Sequence, residues 1–137
     1  MITESDPVQR IMSAVGATVS PEQDVLHAIR TMVERRLQAV PVVDNRGNVV
    51  GVLADRDCMK VVFRAAYHQE WGGPVREFMD AKAMSIEAGT PLVEVPEFIT
   101  QHPHALYPVV KNNRLIGQVT RRDIMKALLE FEAQRSA

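Results

Sequence analysis

The sequence predicts an α+β fold in which one strand–helix–strand–strand–helix unit occurs twice. The first observation is an internal repeat with an offset of 67 residues. It pairs Ile11–Met12 with Phe78–Met79, Val25 with Leu92, and Pro41–Val43 with Pro108–Val110. The second observation is a shared strand-to-helix motif, in which Gly51–Asp57 recurs 66 residues later as Gly117–Asp123. The lost residue falls in a turn between matched apolar strands, as expected of a duplicated unit.

Composition sets the broad class of the protein. A chain of 137 residues, 46% apolar and 24% charged, has the size of one domain or of two small halves sharing a core. The net charge of −1 argues against a nucleic-acid binder that relies on bulk charge. No apolar run approaches the roughly 20 residues that cross a bilayer, so we expect no membrane insertion.

Two further features point to the cytoplasm. The acidic start, Met1–Asp6, lacks the basic and apolar regions of a signal peptide. A single cysteine, Cys58, allows no internal disulfide, which is typical of a reducing compartment. We therefore expect a cytoplasmic protein.

The first half opens with a short helical turn at Val8–Met12 and a brief strand at Thr18–Val19. A helix follows, because apolar residues at spacings of three and four share one helical face. These residues are Val25, Ile29, Met32, Val33 and Leu37. Two residues are candidates for the N-cap of this helix. Ser20 forms a capping-box pattern with Gln23, and Asp24 is the alternative.

A hairpin comes next in the first half. Two β-branched strands, Ala39–Val43 and Val49–Leu53, flank the turn-forming residues Asp44–Gly47. Pro41 cannot donate a hydrogen bond to a ladder, so its strand is expected at a sheet edge or with a bulge.

The second helix of this half starts near Asp55. Its residues Met59, Val62 and Phe63 are expected to face inward, and it stops before the linker signal Gly72–Pro74. We therefore predict repeat one at residues 8–66, a linker at 67–77, and repeat two at 78–130.

The second half departs from the first at two places. Pro96 stands where the first half has Ile29, so the equivalent helix is expected to be kinked or cut short. Asn112–Asn113 is short enough for a two-residue hairpin turn, because Asn tolerates positive φ.

The motif Gly117–Asp123 is the best candidate site. Thr120 is placed as N-cap and Asp123 three residues later, which is the capping-box spacing. The free N–H groups and the positive end of such a helix suit an anion. Arg121 and Arg122 lie about 100° apart on the first turn, so we expect one of them to pair with a phosphate.

The first copy of this motif is less complete. Asp57 is retained, but Ala54 has no hydroxyl, and Asp55 adds negative charge where a phosphate would sit. Arg56 partly offsets that charge. We expect this site to be weaker, empty or limited to a ligand with little negative charge, and a degenerate site remains the alternative.

The duplicated unit, its Pro-Val-Val hairpin and its closing Gly-x-x-Thr-x-x-Asp pattern resemble the tandem CBS (cystathionine β-synthase) domain family, from about Val8 to Leu129. The resemblance implies a stand-alone pair of βαββα repeats packed about a pseudo-twofold axis, a Bateman-type module. It implies adenosyl ligands such as AMP, ADP or ATP in clefts between the repeats, with no required cofactor. It also implies a homodimer that regulates an enzyme or transporter not identified by the sequence.

The resemblance also assigns residues to the ligand. By motif position, Asp123 hydrogen-bonds the ribose hydroxyls and Thr120 contacts ribose or phosphate, with Arg121 and Arg122 nearby. The pocket floor on the first-half side is formed by Gly16, Thr18, Gln38, Ala39, Val40 and Pro41. The weaker second site is formed by Asp57, Arg56, Ser85, Leu106 and Tyr107. The alternative is that the motif residues only cap their helices and that the strand residues only form a core.

Other reactive side chains do not indicate catalysis. Cys58 aligns with the apolar Ile124, which predicts a buried structural thiol. His102 and His104 have no third ligand at metal spacing, so surface histidines are favoured over a metal site. Without a candidate nucleophile–base pair, we expect a non-catalytic regulatory module that binds an adenosyl ligand. The alternative is a structural homodimerisation module with vestigial sites, and nucleic-acid binding is a distant third.

Overall fold

The computed structural model describes residues 1–136 and divides the chain into two compact units. Unit 2 is continuous and runs from Val15 to Ala83. Unit 1 combines residues 1–14, here called the N-terminal arm, with the chain from Met84 onward. The predicted α+β class is confirmed, because each unit contains helices and a small sheet.

Unit 2 follows the predicted order of elements. Its helices and strands are α1 (Val25–Glu34), β1 (Ala39–Val43), β2 (Val49–Ala54) and α2 (Asp55–His68), followed by a 3-10 turn at Val75–Glu77. Strands β1 and β2 pair antiparallel, with Pro41 opposite Val52. Val19 adds a single parallel bridge to Val42, so the predicted strand at Thr18–Val19 is one residue of pairing.

Two open points of unit 2 are settled by its hydrogen bonds. Asp24 is the N-cap of α1, since its carboxylate accepts from the Leu26 N–H at 2.9 Å. The Gln23 side chain closes the preceding turn instead, by accepting from the Ser20 N–H at 2.8 Å. Of the two alternatives for the Pro41 strand, an edge or a bulge at Pro41, the structure favours the edge: β1 belongs to a two-stranded sheet, and its register shifts only beyond Pro41, between Val42 and Val43.

One prediction about α2 is wrong. Met59, Val62 and Phe63 are 58%, 54% and 55% exposed rather than turned inward. The reason is the phase of the helix: α2 follows β2 without a connecting residue, and this turns Cys58 and Val61 toward the core. Met59, Val62 and Phe63 lie one or two positions after these buried residues, so they point away from the core and form an apolar outer face.

Unit 1 repeats the arrangement around a three-stranded sheet. Its elements are a 3-10 turn at Val8–Arg10, β3 (Ile86–Glu87), a 3-10 turn at Leu92–Glu94, α3 (Val95–Gln101), β4 (Tyr107–Lys111), β5 (Arg114–Val119) and α4 (Arg121–Ser136). The strand order is β3-β4-β5, with β3 parallel and β5 antiparallel to β4.

Both predicted departures of the second half are confirmed. Pro96 lies in the first turn of α3, which has only seven residues and follows a 3-10 turn. Asn112 and Asn113 have φ values of 53° and 64° and connect β4 to β5 directly. Two successive residues at positive φ are the signature of a type I′ hairpin turn.

The cores show which segments complete each unit. Val8 of the N-terminal arm is fully buried in the core of unit 1, together with Tyr107 and Val119. Val75 and Phe78, which match Val8 and Ile11 in the repeat, are buried in the core of unit 2. Each sequence repeat therefore sends its leading segment into the unit formed mainly by the other repeat.

Candidate ligand-binding site

The junction between β5 and α4 holds the motif residues of unit 1. The Thr120 N–H donates to Asp123 Oδ2 at 2.9 Å, and the Asp123 N–H donates to Thr120 Oγ1 at 3.3 Å. The Thr120 hydroxyl also lies 3.2 Å from Asp123 Oδ2. This reciprocal pair is the predicted capping box, and it fixes the carboxylate of Asp123 at the first turn of α4.

A third donor to Asp123 was not predicted from the sequence. The hydroxyl of Ser13, in the N-terminal arm, donates to Asp123 Oδ2 at 3.0 Å. The arm is held there by two backbone hydrogen bonds between Ser13 and Gln118, at 2.9 and 3.1 Å. All three donors converge on Oδ2, and Oδ1 accepts none of these bonds.

The glycine of the motif makes room for the arm. A Cβ at Gly117 would collide with the sulfur of Met12 and lie 3.0 Å from its Cγ. In unit 2, a Cβ at Gly51 would lie 2.9 Å from the carbonyl oxygen of Asp80. Each motif glycine therefore lies in close contact with the leading segment of a repeat, at Met12 in unit 1 and at Met79 and Asp80 in unit 2.

A polar groove of about 260 Å³ lies beside the half-buried Asp123. Its lining residues are Ile2, Arg10, Ile11, Met12, Ser13, Asp123, Lys126, Ala127 and Glu130. The groove gives a small molecule access to this side of the capping turn.

The two motif arginines differ in what they contact. Arg121 and Arg122 are both exposed at the start of α4. The Arg121 guanidinium donates to the carbonyl oxygen of His104 at 3.4 Å, a long hydrogen bond on the surface. Arg122 is therefore the more available of the two for an anion beside the helix N-terminus.

The equivalent junction in unit 2 has only half of a capping box. The Ala54 N–H donates to Asp57 Oδ2 at 2.9 Å, but Ala54 has no side-chain oxygen that can accept in return. The Asp55 N–H donates to the carbonyl of Gln38 at 2.8 Å. Arg56 is exposed on the first turn of α2.

Cys58 confirms the prediction of a buried thiol. Burial, together with the smaller effect of the negative charges of Asp57 and Asp55, raises its pKa to about 11. A thiol with such a pKa is almost fully protonated at neutral pH and is a poor nucleophile.

The predicted floor residues of unit 2 differ in accessibility. Gly16, Thr18 and Gln38 are exposed, Ala39 is half-buried, and Val40 and Pro41 are buried. Arg35 donates to the carbonyl oxygen of Gly16 at 2.9 Å and so holds the segment before Val19.

The residues of the predicted weaker site lie partly in each unit. Asp57 and Arg56 belong to unit 2, whereas Ser85, Leu106 and Tyr107 belong to unit 1. Leu106 and Tyr107 are buried, and Ser85 is half-buried.

The Tyr107 hydroxyl is engaged in its own unit. It accepts from the His104 N–H at 2.9 Å and donates to the carbonyl of His102. Tyr107 thus stabilises the loop between α3 and β4, a contact that the sequence did not predict.

Residues 1–136 contain neither a candidate membrane span nor a candidate metal site. No helix in this range is long and apolar enough to span a membrane. No group of three or more His, Cys, Asp or Glu side chains within the same range is arranged to hold a metal ion.

Comparison with protein families identifies the repeat. The sequence model of the CBS domain matches two segments, residues 2–64 and 75–130. The chain belongs to the CBS domain family. Among curated relatives, the CBS domain-containing protein YhcV of Bacillus subtilis is 30% identical over 130 residues, which are 95% of this chain and 91% of that protein.

Solved structures of CBS pairs share the fold. CBSX2 of Arabidopsis thaliana has been solved in complex with AMP. The AMP complex of CBSX2 matches this chain with a TM-score of 0.80 at 23% identity, covering 93% of this chain and 98% of that chain. The CBS domain pair of protein MJ0100 was solved in complex with 5′-methylthioadenosine and S-adenosyl-L-methionine. It matches with a TM-score of 0.74 at 22% identity, covering 89% of this chain and 94% of that chain.

Proposed function

We propose that this CBS domain pair is a non-catalytic regulatory module that binds an adenosyl ligand such as AMP, ADP or ATP at the Thr120–Asp123 turn. The observation that carries the proposal is the arrangement of Asp123, whose Oδ2 accepts three hydrogen bonds while Oδ1 accepts none of them. The AMP bound to CBSX2 and the adenosyl compounds bound to the MJ0100 protein support this ligand class.

The chemistry of the turn suits a nucleoside monophosphate. An ionised carboxylate accepts hydrogen bonds from ribose hydroxyls, and Oδ1 of Asp123 is the acceptor left for them. The N-terminus of α4 adds a partial positive charge and N–H donors beside Thr120. Arg122 is exposed on the first turn and supplies the forked donors that match a phosphate.

The turn at Asp57 is proposed as the weaker of two ligand positions. Ala54 has no hydroxyl for a phosphate, and the carboxylate of Asp55 on the first turn of α2 repels an anion. Arg56 reduces this repulsion without replacing the missing hydroxyl. A ligand with little negative charge, such as adenosine, is therefore the best candidate for this turn.

Regulation by such a ligand requires two states of the module. Binding changes the activity of a partner only if the ligand has different affinities for two conformations or assemblies. We propose that the regulated partner is an enzyme or a transporter, in keeping with the family resemblance.

Calorimetric titration with AMP, ADP, ATP, NAD and S-adenosylmethionine tests the proposal. We expect at least one of these compounds to bind with a dissociation constant below 1 mM, the affinity at which binding contributes about 4 kcal/mol. Asp123→Ala should abolish the tighter site, and the matched variant Asp57→Ala should leave it intact. The adenosyl proposal fails if none of the five binds in this range.

Structural homodimerisation is the second candidate function, and an exposed apolar helix face in each unit favours it. The outer face of α2 exposes Met59, Val62, Phe63 and Tyr67, and α4 exposes Met125, Leu128 and Leu129. Large apolar side chains clustered on exposed helix faces are typical of an interface. We propose that these faces pair two copies of the chain.

Sedimentation velocity separates this role from ligand binding. We expect a dimer at micromolar concentration that Phe63→Glu dissociates. Asn45→Glu introduces the same charge in the exposed hairpin turn of unit 2 and should leave the dimer unchanged. A monomeric wild-type protein would remove the dimerisation function and leave the ligand proposal standing.

A further inference from the structure

The hydroxyl of Ser13 lies 110 residues before Asp123 in the sequence and 3.0 Å from its Oδ2. The backbone of Ser13 is fixed on β5 by a pair of hydrogen bonds with Gln118. The side chain is therefore held next to the carboxylate by the antiparallel bridge.

The Ser13 proton has two acceptors within reach. Asp123 Oδ2 lies at 3.0 Å, whereas the carbonyl oxygen of Gln118 lies at 3.4 Å. A hydroxyl donates more strongly to a carboxylate than to a neutral carbonyl, and the carboxylate is also the nearer acceptor. The hydrogen bond to Asp123 therefore dominates.

The capping turn supplies two of the three donors that converge on Oδ2. The Thr120 N–H is a short donor at 2.9 Å, and the Thr120 hydroxyl is a longer one at 3.2 Å. Ser13 adds a third donor to an oxygen that has two lone pairs, so Oδ2 has no acceptor capacity left for a ligand. Rotation of the carboxylate would then break several hydrogen bonds at once.

We propose that Ser13 is a positioning residue for ribose recognition, which holds the Asp123 carboxylate so that Oδ1 is the acceptor for the hydroxyls of a ribonucleotide. This role rests on the proposed function of the Thr120–Asp123 turn. An acceptor that is already fixed loses less conformational entropy when the ligand binds, so its hydrogen bonds contribute more to affinity.

The matching residue in unit 2 shows why this role belongs to unit 1. Asp80 takes the place of Ser13 in the repeat and forms the equivalent bridge, with Val52. Its carboxylate accepts from the Lys82 N–H at 2.9 Å, and an ionised carboxylate has no proton to donate. Unit 2 therefore lacks the hydroxyl donors of both Ser13 and Thr120.

Titration with two nucleotides measures how much the ribose hydroxyls contribute to affinity. AMP carries both hydroxyls, and 2′,3′-dideoxy-AMP carries neither. We expect the wild-type protein to bind AMP about tenfold or more tightly than 2′,3′-dideoxy-AMP. A factor of this size is what the loss of a hydrogen bond to a charged group usually causes. In Ser13→Ala this preference should fall to about threefold or less, while the affinity for 2′,3′-dideoxy-AMP changes less than twofold.

Two further variants serve as controls. Ser13→Thr keeps a hydroxyl at this position and should restore much of the preference. Ser5→Ala removes an exposed serine from the same arm and should retain the full preference. Circular dichroism and the thermal midpoint of Ser13→Ala establish that the variant is folded.

The outcomes distinguish the two proposals. An unchanged preference in Ser13→Ala, or an equal loss of affinity for both nucleotides, would overturn the positioning role alone. Equal binding of AMP and 2′,3′-dideoxy-AMP by the wild-type protein would overturn it as well. A wild-type protein that binds no adenosyl compound would overturn the proposed function and this role with it.

Discussion

The β5–α4 junction of unit 1 and the β2–α2 junction of unit 2 share one backbone arrangement and differ in their hydroxyl groups. In both, the N–H of the residue before the helix donates to the aspartate of the first turn, at 2.9 Å. In unit 1 the hydroxyls of Thr120 and Ser13 also donate to that carboxylate, whereas Ala54 and Asp80 in unit 2 have no hydroxyl.

This difference shows which contacts the fold requires. Helix α2 begins at Asp55 although Ala54 offers no side-chain acceptor, and it continues for 14 residues. The hydroxyls of unit 1 are therefore not needed to start a helix at this place. Their presence around Asp123 favours a role in binding over a role in folding alone.

The largest expected effect concerns the two motif glycines. We expect Gly51→Ala to lower the free energy of unfolding by about 2 to 3 kcal/mol, because the new Cβ meets the backbone oxygen of Asp80. Gly117→Ala should lower it by about 1 kcal/mol, because the Met12 side chain can move away. Urea denaturation measures both values.

Gly89→Ala is the matched control for these two variants. A Cβ at Gly89 has no atom of the described structure within 4 Å, so its substitution should change stability little. Equal losses of unfolding free energy in Gly51→Ala and Gly117→Ala would show that Met12 yields no more easily than the backbone of Asp80. That result would contradict the difference between the two junctions.

The next effect concerns Cys58, whose counterpart in unit 1 is the non-ionising Ile124. The unfolded thiol ionises near pH 9, while the folded thiol keeps its proton to about pH 11. Stability from this group is thus complete below pH 9 and is lost as the pH rises toward 11. The expected loss is on the order of 2 kcal/mol at pH 11.

Urea unfolding between pH 8 and 11 tests this prediction. The wild-type protein should lose stability more steeply than Cys58→Ala, which has no thiol to titrate. Parallel pH profiles of the two proteins would contradict the raised pKa.

A smaller effect is expected from removing the N-cap hydroxyl of α4 and from adding one at the N-cap of α2. Thr120→Ala should cost about 1 kcal/mol of stability, and Ala54→Ser should add about 0.5 to 1 kcal/mol by completing the box of unit 2. Differential scanning calorimetry measures both changes, with Thr120→Ser as the control that keeps a hydroxyl. A destabilised Ala54→Ser would mean that the buried position of Ala54 does not admit an oxygen.

The smallest effect concerns the hairpin turns. Backbone N–H groups of Asn48 and Arg46 lower the pKa of Asp44 in unit 2, whereas the unit 1 turn contains Asn112 and Asn113. The stability contributed by Asp44 is present above its unfolded pKa near 4 and is lost as the pH falls through the lower folded value. Between pH 5 and 2, the thermal midpoint of Asp44→Asn should decline slightly less than that of the wild-type protein. Identical declines in the two proteins would rule the effect out.

Much of the fold was predictable because its signals are local. The capping box at Thr120 and the short helix at Pro96 each follow from residues within a few positions of one another, and the repeat follows from comparing such local patterns along the chain. The missing hydroxyl of Ala54 was also visible, because the two copies of the motif align without a gap.

The remaining features depend on long-range packing. The contact between Ser13 and Asp123 joins residues 110 positions apart, and its only sequence signal was the alignment of Ser13 with Asp80. The outward turn of Phe63 was mispredicted because periodicity locates an apolar face without saying what covers it.

The division of the chain into a continuous and a discontinuous unit has a consequence for biosynthesis. Unit 2 is complete once residue 83 has been made, so it can fold while the ribosome is still translating. The N-terminal arm is synthesised before unit 2, yet its partners begin only at Met84. We therefore expect unit 1 to form later and more slowly than unit 2, because its arm closes a long loop onto the rest of the unit.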